Sequence, residues 1–343
     1  GAPGAFRTIN KKSEFVGWAA TTNAFAISTY YAVVFAWVIA MAVFSFKFAG
    51  MVGDSQAASS LFANITETSW TISGAQIPWV MIIMLLVAWT LIYLCIRRGT
   101  ASVGSVVKYT GLTLPLLFLI IMAIKGISMP GGMEGIGKLF TPNFAQIIDE
   151  GLMSNLIIDA IGQVFYSLSI MMAIMIAYGS YLSDSANIAK DATVIAFADL
   201  GVSILSGIVM FTTMYGVGMT TNDMSASGIA TAFIIFPQAI ANLTNTGWVN
   251  AAFGMIFYLC LASLAVDSAF SIVEGVSTGV ADRFKLNKRK TTMTICIIAA
   301  LISLIFISRS GLAWLDIVDN WTNQYNMIII GTLECIVIGW IFK

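Results

Sequence analysis

The chain contains no histidine, so the side chain most often used as a general base or metal ligand near neutral pH is missing. Charge is almost as scarce. Asp, Glu, Lys and Arg make up 10% of the residues, against about 25% in soluble domains. The two signs cancel to a net charge of zero, which leaves no electrostatic footprint for nucleic acid, and no such partner is expected. Only six prolines interrupt 343 residues, so long stretches are free of the strongest helix breaker. The four cysteines, Cys95, Cys260, Cys296 and Cys335, stand in apolar segments. Their spacing fits no zinc motif, and they read as buried free thiols. No catalytic group emerges, and the chain does not read as an enzyme. No signal peptide is visible. The opening Gly1-Ala2-Pro3-Gly4 reads as if cut from a longer protein.

What the chain has instead is apolar surface. Hydrophobic residues make up 58% and mean hydropathy is +0.88. A helix crosses a bilayer with about 20 apolar residues. The pattern predicts an all-α integral membrane protein, one transmembrane domain over 1–343 with about eight spans. They are placed at 17–46, 77–96, 104–125, 153–183, 191–217, 248–282, 292–308 and 316–342. The polar segment 47–75 and the Gly- and Pro-bearing segment 126–152 read as loops. Residues 220–247, broken by Asn222, Gly228 and Pro237, read as a helical hairpin across the outer face. Alternating spans put Arg7, Lys11, Lys12, Arg97, Arg98, Lys108, Lys190, Arg283, Lys285, Lys288, Arg289, Lys290 and Lys343 on one side. Lys47, Lys125, Lys138 and Arg309 fall on the other. The rich side is cytoplasmic by the positive-inside rule, which puts Gly1 inside a multi-pass protein of the plasma (inner) membrane.

Acidic residues stranded in these spans are the functional signal. Asp159, Asp199, Asp267, Glu274 and Glu334 all lie in segments otherwise fit for lipid. A carboxylate at bilayer depth costs about 2.5–3.5 kcal/mol even on the gentlest scale. Ion coordination, a proton relay or internal pairing would justify it, and an ion-coupled transporter is the first hypothesis. The fourth span carries Gln163, Ser167 and Ser169 at its middle. The two hydroxyls either bond their own i−4 carbonyls or mark a broken helix lining a cavity.

These residues are also familiar. The run Gly162-Gln163-Val164-Phe165-Tyr166-Ser167-Leu168-Ser169 resembles the sixth helix of the neurotransmitter:sodium symporter family, in its prokaryotic branch. Thr29-Tyr30-Tyr31 resembles the third helix, Ala265-Val266-Asp267-Ser268-Ala269-Phe270 the eighth, and Val318-Asp319-Asn320-Trp321 the start of the tenth. The resemblance implies the LeuT-type inverted-repeat transporter fold, incomplete here: family helices three to ten are covered, and the first two and the last are absent. It implies a sodium-coupled symporter of amino acids, apolar or aromatic ones by the pocket lining, working by alternating access in the full-length parent. The lipid bilayer and the missing N-terminal helices of the same protein are its partners.

Site residues follow from the resemblance. Leu264, Asp267 and Ser268 form one sodium site, with a lone Asp paired to a neighbouring helix as the alternative. Ser167 and Asp199 belong to the other, two Na+ sites in all. Asp199 stands where the family usually has a sodium-binding Asn, and Ser203 where chloride-dependent members have Ser. A fixed negative charge near the ion replaces chloride, so Asp199, with Gln163 beside it to hydrogen-bond it, makes chloride unnecessary. Ile27, Tyr31, Tyr166, Ser169, Met172 and Ile272 line the substrate pocket, and Asp319 is the outer gate, pairing with an Arg of the missing first helix. Glu274 and Glu334 read as internal hydrogen-bond anchors. A proton-coupled amino-acid carrier and a transport-inactive sensor or scaffold of the same fold remain competing readings. An intramembrane aspartyl protease lacks its Gly-x-Gly-Asp signature. The orientation makes a direct prediction. In sealed inside-in vesicles an impermeant maleimide labels K138C but not K288C, and the reverse pattern refutes it.

Overall fold

The computed structural model describes residues 1–72, 74–98, 113–149, 151–183, 185–220 and 228–341. The start of the expected span at 104–125, with Lys108, and Asn222 in the expected hairpin lie outside these residues, as does Lys343. Among the described residues every regular element is a helix.

Helix α1 (Ala2–Ile9) leads into α2 (Glu14–Phe44), the hub of the molecule. At 31 residues, α2 is about 46 Å long, more than the roughly 30 Å of a bilayer core, and so long enough to span one. Its Ala20, Ala24, Ile27, Val33, Ala36, Trp37, Ala40 and Met41 are fully buried, because helices close on it from several sides. Chief among these are α12 (Gly247–Phe284), α4 (Trp79–Arg98) and α13 (Lys288–Ser303). Small residues on α2 let those neighbours approach closely, as is usual where lipid provides no hydrophobic drive between helices.

The segments 47–75 and 126–152, read as loops, are partly helical. Helix α3 (Ser55–Thr66) starts at Asp54, whose carboxylate accepts from the Ala57 amide at 2.9 Å. It buries Leu61, Phe62 and Ile65. Phe62 stacks on Phe233 at 4.5 Å, and Trp37 meets both rings edge-on. Helix α5 (Leu114–Ser128) is followed by α6 (Gly132–Phe140), bent by 110° from it. Gly135 lets α6 lie against α10 (Ile188–Gly216): a Cβ there would sit 2.4 Å from the Phe211 carbonyl oxygen. A short helix α7 (Phe144–Asp149) follows. The first segment reads as a loop for its polarity and the second for its glycines and prolines, yet α3 buries an apolar face and α6 meets α10 through Gly135.

Among the described residues five helices are long and apolar enough to cross a membrane, and the bent α5–α6 pair makes a sixth. Two expected spans are shorter helices. Segment 153–183 is divided into α8 (Met153–Ser167) and α9 (Ile174–Gly179). Segment 292–308 is covered by α13, which ends at Ser303 and gives way to turns. The last span comprises α14 (Gly311–Asp319), a π-helical stretch Asn320–Asn326, and α15 (Met327–Ile336). In the expected hairpin, a π turn at Thr231–Ile235 runs into α11 (Phe236–Ala241).

The turn from α11 to α12 is held by one residue. Asn250 is fully buried. Its amide nitrogen donates to the carbonyls of Ala241 (3.1 Å) and Thr244 (2.9 Å), and its oxygen accepts from the Thr244 amide (3.0 Å) and hydroxyl (2.7 Å). Removing it strands the half-buried Thr244 amide and carbonyl, at about 1–3 kcal/mol each at most, while the Ala241 carbonyl keeps the Gly53 amide. Asn250→Ala is expected to lower the thermal unfolding midpoint of the purified protein by several degrees, whereas Thr193→Ala on exposed α10 leaves it in place.

Candidate functional site

The site is built around the gap between α8 and α9. Ser169, Met171 and Ala173 carry positive φ of 54°, 61° and 60°, a region L-residues with side chains rarely adopt. Three such residues at alternate positions interrupt the helix between α8 and α9. Non-helical backbone at membrane depth persists only where protein or a cavity satisfies its polar groups. At the last residue of α8, the Ser167 hydroxyl donates to the Asp199 carboxylate of α10 at 2.6 Å. This bond ties the lip of the break to the neighbouring helix. Gln163, one turn earlier, does not bond Asp199; it is exposed and lines the adjoining cleft. Ser203, one turn beyond Asp199, is exposed on α10.

That cleft has a volume of about 940 Å³ and lies between α2, α8, α12, the π turn after Gly228 and the last span. It brings together Tyr31, Tyr166, Gln163, Leu264, Ser268 and Asp319. Ile27, Met172 and Ile272 are buried in the core instead, and none of them is among the lining residues. Ser169 sits half-buried at the break. Asp267 is half-buried on α12. Its carboxylate has Tyr31 and Tyr178 as neighbours, and its backbone carbonyl accepts from Ser271 at 2.9 Å. Among the described residues no ion pair neutralises it. Ser268, next in sequence, faces Tyr31 across the cleft.

Asp319 lies where α14 passes into the π-helical stretch, and Asn323 donates to its carboxylate. Asn323 also donates to the Tyr30 hydroxyl at 3.3 Å. Tyr30 in turn pairs with the Thr322 hydroxyl at 3.2 Å. Asn23 donates to the Thr322 carbonyl at 3.1 Å and accepts from Asn326 at 3.2 Å. Five polar residues thus fasten α2 to the last span beside the cleft, and sequence reasoning passed over them. Their signal is the helical spacing of Asp319, Thr322, Asn323 and Asn326 in an otherwise apolar segment. Gly162 lets α8 close on the same stretch, since a Cβ there would lie 3.2 Å from the Asn323 carbonyl oxygen.

The other acidic residues divide. Glu274 is nearly buried, ion-paired with Lys288 and hydrogen-bonded by Tyr181 at 3.0 Å. Burial opposes the Lys288 charge, but Glu274 and Tyr181 outweigh it and hold the ammonium pKa above the ordinary lysine value. Glu334, read as an anchor, has a buried carboxylate oxygen with no hydrogen-bond partner among the described residues. Asp159 is exposed in the cleft wall. On the basic side, Glu14 takes bonds from Arg7 (2.8 Å), Trp18 (3.2 Å) and Arg283, clamping α1, α2 and the end of α12 together.

Comparison with known proteins points one way. The model of the sodium:neurotransmitter symporter family matches residues 59–343. The chain is 30% identical, over 99% of its length, to an uncharacterized sodium-dependent transporter of Methanocaldococcus jannaschii, covering 68% of that protein. It is 29% identical over 98% of its length to the sodium-dependent neutral amino acid transporter B(0)AT3 of Rattus norvegicus, covering 66% of it. A sodium- and chloride-dependent glycine transporter 2 of Xenopus laevis matches at 26% over 78% of the chain. The chain thus spans about two thirds of the length of the first two relatives. The polar fastening beside the cleft yields a prediction. Asn23→Ala strands the Thr322 carbonyl and the Asn326 amide and costs about 1–3 kcal/mol, read as a lower unfolding midpoint. Asn320→Ala, on an exposed position, changes stability by less than about 0.5 kcal/mol.

Proposed function

The chain belongs to the sodium:neurotransmitter symporter family, a family of membrane transporters and not of enzymes, and from that premise we propose that the full-length protein couples inward sodium movement to uptake of neutral amino acids. The observation that carries this reading is the Ser167–Asp199 hydrogen bond at the edge of a helix break. Hydroxyl, carboxylate and backbone carbonyl oxygens are what a hard monovalent cation requires, and a break supplies carbonyls that a continuous helix would keep for itself. Sodium sits between Ser167 and Asp199 in one site. In the other it sits against Asp267, Ser268 and the Leu264 carbonyl, and the unpaired Asp267 carboxylate supplies the charge. Asp199 also serves in place of chloride, with Ser203 one turn away. Tyr31 and Tyr166 face the substrate across the cleft, and apolar Ile27, Met172 and Ile272, with Ser169 at the break, complete the pocket once the cleft closes. Neutral amino acids are the cargo named for the rat relative, and an apolar lining with few polar groups suits such a zwitterion.

Access alternates across the membrane. Sodium holds the open cleft, substrate draws Tyr166 and the Asp319 gate inward, and loss of the Asp267 sodium opens the basic, cytoplasmic side. Coupling is reciprocal, so sodium and substrate raise each other's affinity by the same factor. Segments of the full-length protein beyond this chain complete the sites, and the LeuT-type inverted-repeat fold, in the plasma membrane with Gly1 inside, is the framework for the motion.

Uptake of labelled leucine into proteoliposomes holding the full-length protein tests this. Replacing sodium with choline is expected to lower uptake at least about tenfold, and Asp267→Ala to abolish the sodium-dependent part. Uptake driven by a proton gradient and indifferent to sodium would refute the reading. Asp199→Asn is expected to make uptake depend on chloride, measured by gluconate replacement.

A further inference from the structure

A second cavity, about 570 Å³ in volume, opens on the basic side of the molecule, away from the cleft. Its walls come from the end of α4, the segment after α9, the middle of α12 and the start of α13. Arg97, Lys288 and Arg289 line it, together with Tyr181, Glu274 and Thr292. Glu274 is taken by Lys288 and Tyr181. Arg97 and Arg289 are exposed, and among the described residues neither forms an ion pair. Three cations therefore face one carboxylate that is already matched.

The placement of these cations runs against local electrostatics. Lys288, Arg289 and Lys290 occupy the first turn of α13, a helix of 16 residues, where the macrodipole already presents positive charge and acidic residues are favoured. Among the described residues only Lys288 finds a carboxylate. The positive-inside rule places cations on this side, and the charge of Arg97 and Arg289 is left available to an anion.

Beyond the residues that line the cavity, α4 and α13 change character along their length. Leu94 lies one turn before Arg97 and is 38% exposed, with Leu91 at 40%; Met293 and Ile297, one and two turns beyond Arg289, are 48% and 53% exposed. Cationic side chains thus sit at one level, with open apolar surface on the same two helices running from there toward the bilayer centre. A soluble anion has no use for that apolar surface, whereas acyl chains do. Basic pockets between transmembrane helices take phospholipid head groups in this manner. We propose that the cavity between α4, α12 and α13 binds the phosphate head group of an anionic phospholipid from the leaflet on the basic side, its acyl chains lying along Leu91, Leu94, Met293 and Ile297.

Native mass spectrometry of the full-length protein in detergent, with equimolar dioleoylphosphatidylglycerol and dioleoylphosphatidylcholine, tests the site. The unaltered protein is expected to retain the anionic lipid preferentially. Each of R97Q and R289Q reduces that preference about fivefold, and the double variant about 30-fold. K190Q, an exposed cation on the same side but outside the cavity, leaves it unchanged. Both arginines are solvent-exposed, and unfolding midpoints in phosphatidylcholine check that the variants fold. An unchanged preference in R97Q/R289Q overturns the proposal. Displacement of the lipid by millimolar glycerol 3-phosphate overturns the lipid assignment and makes the cavity a site for a soluble phosphate.

Discussion

In hydrocarbon a backbone polar group has no water to turn to, so helix is the default and any departure from it must be matched by protein or by a wet cavity. The departure at residues 168–173 organises the rest of this structure. Ser169, Met171 and Ala173 take left-handed conformations there. The break is bordered by the Ser167–Asp199 hydrogen bond on one side and by the 940 Å³ cleft on the other. A continuous helix from 153 to 183 would remove the lip on which Ser167 sits and would direct Tyr166 differently.

The scaffold around the break is stiff where the site needs it. Helix α2 is buried along most of its length and carries Tyr30 and Tyr31 on adjacent positions with different duties. Tyr30 joins the polar fastening to the last span, while Tyr31 faces Ser268. Since that fastening also holds Asn323, the donor to Asp319, a movement of the last span must exchange hydrogen bonds rather than slide on apolar surface. The Glu14 clamp to Arg7 and Arg283 secures the start of α2 to α1 and to the end of α12.

By contrast the first half of α10 is open: Val194, Ile195, Phe197 and Leu200 are exposed. Such a surface is suited to lipid or to further helices. On the basic side, exposed apolar residues adjoin unpaired cations at the α4–α13 cavity, so the surface there is graded from charge to hydrocarbon as a membrane is.

Class was legible in composition, because hydropathy is an additive property of the chain. The acidic residues that stand out in apolar segments were legible for the same reason: each is costly alone. The short helices α3 and α6 were not, since Phe62 of α3 is meaningful only against Trp37, and Gly135 of α6 only against α10. Nor was the Asn23–Tyr30–Thr322–Asn323–Asn326 fastening, whose members lie some 300 positions apart. Sequence could point to Ser167 and Ser169 as unusual, but it left open whether they bonded their own helix or marked a break. The tertiary structure decided that: the helix stops at Ser167, whose hydroxyl turns to Asp199 of a neighbouring helix. The sequence by itself determined where charge is scarce and helices are long. Which carboxylates found partners, Glu274 with Lys288 and Asp199 with Ser167, was decided only when the helices packed, since hydrogen bonding depends on distances that no spacing along the chain specifies.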